Sequence, residues 1–325
     1  MPSIRIVAAV AALIAATAPA AAQDWPVRPV TLVVPFAAGG AFDVMARVLT
    51  PRLSEILKQQ VIVENVGAAA GIVGTGRVAK ASPDGYQFLL GTIGTHAYNA
   101  TLYKKLPYNP TADFAPVALF GEQPMVMLTR PDFPANTLQE FISYAKANAD
   151  KMQYGSAGVG STTHLACALI NAAAGLNITH VPYRGGGPAM QDLLAGQIHY
   201  VCLNSPNAVG QINGKTLKGI AMLSRERFPQ LPELATAHEQ GLTNFEAISW
   251  NAFFLPKGTP AAIVKKLNDA VNDTLNTPAV KERMYEIGIT AVTPERRTPE
   301  YLQQFVASEI AKWATPIKAA GISLD

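Results

Sequence analysis

Short apolar runs alternate along the chain with segments whose apolar positions recur at helical spacing. That is the signature of strands interleaved with amphipathic helices, and hence of an α/β fold. The run at residues 30–34 predicts a strand. Val44, Met45, Val48, Leu49, Leu53, Ile56 and Leu57 predict a helix, which Pro51 should kink because proline lacks the N–H for the bond one turn back. "VIVEN" reads as the next strand, "GAAAGIVGTGRVAKA" as a small-residue loop entering a helix, and "GYQFLLGT" as a strand opened by the turn signal Pro83-Asp84-Gly85. "FAPVALFGEQPMVMLTR" reads as two extended pieces split by Gly121 and Pro124.

From there the pattern restarts. Thr137 with Glu140 forms a capping box before a helix, and Ser161 caps another that Gly175 closes. Pro188 opens a short helix that Gly196 ends, and "MQYGS", "ITHVPY", "IHYVCL" and "KGIAML" supply strands. After the extended segment "FEAISWNAFFLPKG" the chain is helical. Thr259-Pro260, Thr277-Pro278 and Thr298-Pro299 each offer an N-cap threonine and an N1 proline, and the last helix buries Leu302, Phe305, Ile310 and Trp313. Two α/β units with helices left over predict a discontinuous first domain. It would span 23–124 and 251–325, with 125–250 as the second. Two extended crossings, near 121–126 and 249–254, would form the hinge.

The N-terminus reads as a separate element. Arg5, an uncharged Ala-rich run and the A-x-A pattern at Ala20 and Ala22 predict a signal peptide at residues 1–22, and therefore export. Cleavage after Ala22 would leave 303 of the 325 residues, which suits two domains. With 26 basic and 23 acidic side chains the formal charge is only +3, and no basic run or aromatic–basic interleaving points to nucleic acid. The two cysteines, Cys167 and Cys202, suit one disulfide in an exported protein, or two buried thiols; no Cys/His cluster has metal spacing, so neither metal nor cofactor is expected.

Candidate chemistry sits in two glycine-bearing turns, one per unit, each between a strand and a helix. The first is Phe36, Ala37, Ala38, Gly39 and Gly40, followed by Asp43; the second is Ser156, Ala157, Gly158, Gly160, Ser161 and Thr162, followed by His164. Either could be a plain tight turn. Two of them at strand C-terminal ends, with no lysine or arginine in either, point instead to an anion held by backbone N–H groups and hydroxyls at facing helix N-termini. The second loop is not a P-loop, because Ser161 stands where the lysine must be, nor a nucleophile elbow, because Tyr154 stands where its first glycine must be. "GTGRVA" at residues 74–79 follows a loop rather than a strand and reads as loop.

"VVPFAAGGAFDVMAR", "VENVGAAAGIVGTGRVAKASPDGY", "YGSAGVGSTTHLA", "HVPYRGGGPAMQDLLAGQI" and "FFLPKGTP" occur in this order. Together they resemble the extracytoplasmic solute receptors of tripartite tricarboxylate transporters, of the Bug (Bordetella uptake gene) type. The resemblance implies a periplasmic-binding-protein fold of type II, with two α/β domains, a two-segment hinge and a ligand cleft between them. It implies a carboxylate pinched between the two loops, partly through ordered water, a monomeric receptor in the periplasm, and delivery to membrane permease subunits. It also supports pairing of Cys167 with Cys202, since a subset of the family carries both cysteines. Ala168 and His199 depart from the acidic residue and the Asp that many relatives carry there, which leaves ligand specificity open.

Other side chains are candidates for the same cleft. Thr95 and His96 follow a strand; His96 either lines the cleft or is an exposed or capping residue. His164 either donates to the ligand or packs on the sheet. Tyr183 and Arg184 precede a glycine-rich turn, and Arg184 could meet a second carboxylate bidentately or bond to the protein's own carbonyls. Asn204 and Ser205 lie in a polar turn suited to discriminating ligands. Asp43 more naturally orients its own loop than touches an anion. Ser161 and His164 share a helix face without an acid nearby in sequence, so a hydrolase is a distant alternative and no enzyme is expected. A subunit presenting ligand to a membrane histidine kinase needs the same clamp as a transport receptor. The ligand class stays open among di- and tricarboxylates, aromatic acids and acidic amino acids.

Overall fold

The structure is a computed structural model that describes residues 25–319, 321 and 323. The expected signal peptide lies outside the described residues. β1 (Val30–Val34) leads through the first glycine loop into α1 (Ala41–Leu57). Then come β2 (Val61–Asn65), α2 (Ile72–Ala79), β3 (Gln87–Thr92), a π-helical turn over Gly94–Tyr98, and the single turn α3 (Asn99–Leu102). The long strand β4 (Phe114–Thr129) is followed by α4 (Leu138–Asn148), β5 (Gln153–Ser156), α5 (Thr162–Ala174), β6 (Thr179–Pro182), α6 (Gly186–Leu194), β7 (Tyr200–Asn204), α7 (Ser205–Asn213) and β8 (Lys218–Met222). β9 (Ile248–Pro256), α8 (Ala261–Asn276), α9 (Pro278–Glu286), β10 (Thr290–Ala291) and α10 (Pro299–Ala319) complete the chain.

The strands run side by side in the order β2-β1-β3-β9-β4-β7-β5-β6, with β10 and β8 also on β4. The β1, β2 and β3 pairings are parallel, as are those among β5, β6 and β7, while β9 is antiparallel to β3 and β4. β4 changes partners along its length. Up to Pro124 it pairs β9, and from Met125 it pairs β7 and β8. The two extended pieces predicted on either side of Gly121 and Pro124 are therefore one strand. It has bulges between Pro116 and Ala118 and between Leu119 and Gly121, and Pro124 then pairs Ile248 in register.

Each half of the sheet is covered on both faces. In the first half, α1, α8 and α9 bury Met45, Leu49, Leu53, Leu267, Val271 and Met284 against Leu32, Val34, Phe88, Leu90 and Phe253. The other face packs Leu302, Val306, Trp313 and Ile317 of α10 near Leu89, Leu119, Trp250 and Phe254. Buried Glu309 accepts from the indole N–H groups of both Trp250 (2.9 Å) and Trp313 (3.0 Å), which ties α10 to β9. In the second half, α4 and α5 cover the face of Met125, Met127, Tyr200 and Cys202, and α6 and α7 cover that of Val126, Leu128, Val201 and Leu203.

Local signals differ in how they are met. α1 runs unbroken from Ala41 to Leu57 with Pro51 inside it, its apolar stripe buried on both sides of the proline. The capping box forms: Thr137 Oγ1 accepts the Glu140 N–H, and the Glu140 carboxylate accepts the Asn136 N–H. Of the three Thr-Pro pairs only Thr298 caps with its side chain, accepting the Tyr301 N–H at 3.1 Å. Thr259 and Thr277 turn their hydroxyls back onto the carbonyls of Pro256 and Asp273 instead. A disulfide joins Cys167 on α5 to Cys202 on β7, with Cα atoms 5.5 Å apart.

Candidate functional site

The first loop is held from behind. Gly39 takes a left-handed conformation (φ +78°), which only glycine adopts without strain, and its N–H donates to the Asp43 carboxylate at 2.9 Å. Gly40 needs no such freedom: at φ −79° it is an ordinary extended N-cap for α1. Asp43 is buried and also pairs with Arg47, while Asn65 donates its amide to the Phe36 carbonyl at 3.1 Å. Burial raises the Asp43 pKa, but hydrogen bonds from Arg47, the Gly39 N–H and Asn65 outweigh it and hold the carboxyl below its ordinary value. Asp43 thus shapes the loop. The strand end at Gly67 approaches so closely that a Cβ there would lie 2.6 Å from the Ala37 nitrogen.

The second loop is also knotted to itself. Ser156 Oγ accepts the Gly158 N–H and lies 2.7 Å from His180 Nε2. Thr163 Oγ1 accepts the Ala157 N–H, and Ser161 Oγ caps α5 at the His164 N–H. His164 Nδ1 accepts the Gly160 N–H at 3.1 Å, which assigns the ring as a neutral Nε2–H tautomer. Its ring stacks on His180 at 4.0 Å, and Tyr154 stacks on His180 in turn. Burial, and for His164 the neighbouring His180, push these imidazoles down to about 3 (His164) and about 4 (His180). His164 therefore braces the loop from below. His180, a brace of the same kind, lacks any local sequence signal, since it sits in the ordinary apolar strand "ITHVPY".

The two halves of the chain meet at these loops. A Cβ built on Gly185 would stand 3.0 Å from Ala37 Cβ, and one on Gly187 3.7 Å from the Gly39 carbonyl carbon. One on Gly158 would stand 3.3 Å from the Ala70 nitrogen, and one on Gly94 3.2 Å from Thr162 Oγ1. Three helix N-termini take part: α1, α5 and α6, the last beginning at Gly186. The α6 turn was missed as a backbone contributor, although the run Gly185-Gly186-Gly187 was its signal. So was the turn at Ala69, Ala70 and Gly71, three consecutive left-handed residues (φ +46°, +52° and +88°), of which Ala70 faces Gly158 and Gly71 lies against Thr95 and Phe36. Two alanines in that region are strained, and such strain collects where a backbone clamps something.

Other predicted residues lie outside the two loops. Thr95 is spent on Thr92, to which its hydroxyl donates, and on His96 Nδ1. His96 is wholly buried and stacked on Phe254 at 3.9 Å, in the aromatic core beside Phe114; burial drives its pKa to about 3. It is neither exposed nor grouped with the glycine loops, because its strand-end position turns the ring behind the sheet. Ser205 Oγ donates to the Gly288 carbonyl at 2.5 Å and binds α7 to the turn after α9. The Tyr183 hydroxyl donates to Asp192 at 2.7 Å, while exposed Arg184 extends beside the α6 turn. Asn204 is buried at the end of β7 with its Nδ2 unpartnered. Of the two departures, His199 accepts the Gln153 N–H with Nδ1, a structural role, and Ala168 is half-buried on α5. Among the described residues no three His, Cys, Asp or Glu side chains group as a metal site would need.

Residues 45–322 match the model of the tripartite tricarboxylate transporter family receptor. The chain belongs to that receptor family. It is 41% identical over 303 residues to a protein of the TAR-I ttuE-ttuC' intergenic region of Agrobacterium vitis, covering 93% of this chain and 87% of that one. The structure superposes on the periplasmic binding protein BugD with a TM-score of 0.89 at 40% identity, covering 92% of this chain and 99% of BugD. It superposes equally on MatC from Rhodopseudomonas palustris with bound malate, at TM-score 0.88 and 40% identity, covering 90% and 100%. The fold is thus the mixed α/β fold of these periplasmic receptors, as the resemblance implied.

Proposed function

We propose that this receptor, exported to the periplasm after cleavage behind Ala22, captures a small carboxylate between the glycine loops of its two domains and delivers it to the membrane permease subunits of a tripartite tricarboxylate transporter. The observation that carries the reading is the convergence of α1, α5 and α6 N-termini through glycine backbones, with no cationic side chain in either loop. Free N–H groups at helix N-termini are a ready anion site, and small residues let the ligand reach them. Malate in a relative with 40% identity supports the ligand class. The change of partners along β4 between Pro124 and Met125 supports two bodies, 23–124 with 251–325 and 125–250; the receptor is proposed to work as a monomer. Ala37, Ala38 and Thr162 are the proposed N–H contacts; Gly39, Gly40, Gly158, Gly160 and Ser161, whose own N–H groups are held by Asp43, the Ala37 carbonyl, Ser156, His164 and the Gly158 carbonyl, line the site and leave the ligand room to approach.

A thermal-shift screen of carboxylic acids tests this. An acid at about 100 times its Kd should stabilise the fold by about 2.7 kcal/mol and raise melting by roughly 2–4 °C, while its amide should do nothing. Gly40→Val should fold, because Gly40 has ordinary dihedrals, yet lose the shift as its side chain reaches toward the Gly186 nitrogen, already 4.0 Å from a Cβ at that site. Wild-type affinity in the variant, or equal stabilisation by the amide, would reduce the glycines to turn formers. Deleting the gene should abolish uptake of the bound acid.

A further inference from the structure

On the sheet face from which α1 and α5 rise, the two apolar cores do not meet. Between them a row of polar side chains crosses four neighbouring strands: Thr92 on β3, Asn251 and Ser249 on β9, Gln123 on β4 and Asn204 on β7. Thr92 pairs with Asn251, Ser249 pairs with Gln123, and Asn204 pairs with Met125, two residues beyond Gln123. The alternation of strand side chains fixes their side. Leu90 and Phe253, each two residues from a member of the row, belong to the α1 core; Met125 and Cys202 belong to the α5 core. The second loop reaches the row, since a Cβ on Gly94 would touch both Thr92 Oγ1 (3.4 Å) and Thr162 Oγ1 (3.2 Å).

All five residues are at most 2% exposed. Yet both amide atoms of Gln123 and of Asn251, Ser249 Oγ, Asn204 Nδ2 and Thr162 Oγ1 have no hydrogen-bond partner in the protein. These are seven of the fourteen such atoms among the described residues, gathered in one patch. Buried amides are nearly always paired, so a cluster of unmet ones marks a place where something other than the protein supplies partners. None of the row is charged.

We propose that this row is the floor of the ligand site and reads the far end of a bound acid, selecting short, oxygen-bearing acids over acids with an apolar tail. The proposal rests on the carboxylate-receptor reading above. The amide N–H groups of Gln123, Asn251 and Asn204 donate to a second carboxylate, and the amide oxygens and Ser249 Oγ accept from a hydroxyl. An alkyl or aromatic tail would bury the same groups without partners, and a site built to hydrogen-bond discriminates far more sharply than an apolar pocket does. Because Asn251 lies on the strand shared with the first domain and Asn204 on the second, a ligand end bonded to both also bridges the domains.

Isothermal titration with malate, succinate, butyrate and benzoate tests it. Malate or succinate should bind at least about 100-fold tighter than butyrate, which matches them in carbon count, and than benzoate. Gln123→Met keeps the side-chain length without the amide, and Ser249→Ala removes a single oxygen. Each should weaken the dicarboxylate about tenfold or more and narrow the gap between malate and butyrate, because the alkyl tail then buries one unpaired polar group fewer. Should Gln123→Met fail to fold, Ser249→Ala carries the comparison. Butyrate or benzoate binding within threefold of malate, or folded variants with wild-type dicarboxylate affinity, would overturn the proposal while leaving the receptor reading intact. If none of the four acids, and no other carboxylate in the screen, binds the wild-type protein, the receptor reading falls and this inference with it.

Discussion

At the level of single residues the loops are braced by groups that titrate below neutrality, and the two kinds of brace fail in different pH windows. Asp43 holds the Gly39 N–H and Arg47 with its folded pKa below the ordinary carboxylate value. Such a group contributes its stability in full above about pH 4, and loses it as pH falls through the folded value. Asp43→Asn should cost about 1–2 kcal/mol at pH 7 and flatten the acid limb of a stability–pH curve below pH 4. His164 and His180 act higher. Both are neutral in the fold and protonate freely once unfolded, so the unfolded state takes up more protons below about pH 6.5. Stability should fall between pH 6.5 and about 4, by up to about 1.4 kcal/mol per pH unit for each ring, and level off once the folded rings also protonate. His180→Phe keeps the stack and should shallow that slope in urea titrations at pH 7, 6 and 5; an unchanged slope would remove the histidines from this role. The glycines and Ser161 were legible because turns and caps are local chemistry. His180, Gln123, Ser249 and Asn251 were not, because a polar residue within an apolar strand gains its meaning from partners far away in sequence.

Among the elements, α5 carries the second loop and is pinned to the sheet beneath it by Cys167–Cys202. The bond closes a loop of 35 residues, worth about 3–4 kcal/mol in the chain-entropy account. Denatured, unreduced protein should show no free thiol, and Cys167→Ala with Cys202→Ala should lower stability by up to that amount in denaturant melts. Two thiols per chain would dismiss the bond. Strand and helix order were readable from periodicity almost throughout. Caps were less so: Thr-Pro looks the same at all three helices, but at Thr259 and Thr277 a nearby carbonyl competes for the hydroxyl and wins. The unity of β4 was hidden for a similar reason, since Gly121 and Pro124 punctuate a sequence but a ladder with bulges can absorb both.

For the molecule as a whole, the α1 loop and the α6 turn, and likewise Ala70 and Gly158, bring the two halves of the chain close together. β4 runs through both halves of the sheet and β9 starts at Ile248, opposite Pro124 where β4 changes partners, so opening is expected to bend there. Small-angle scattering should therefore give a smaller radius with a saturating acid than without, and an identical radius would mean a rigid clamp. The pairing of β9 with β3 has another consequence, in the order of assembly. β3 ends at Thr92, and the strand that covers its free edge begins at Ile248, with the whole of β5 to β8 in between. During synthesis the edge of β3 would stay open until β9 has emerged. β5, β6 and β7 pair one another across much shorter chain separations than β3 and β9 do, so they should form before the β3–β9 ladder is complete. Pulsed hydrogen exchange during refolding should protect amides of β5 and β7 ahead of those in β1 and β3. A receptor assembled in this order would become binding-competent only once β9 has closed the edge of β3.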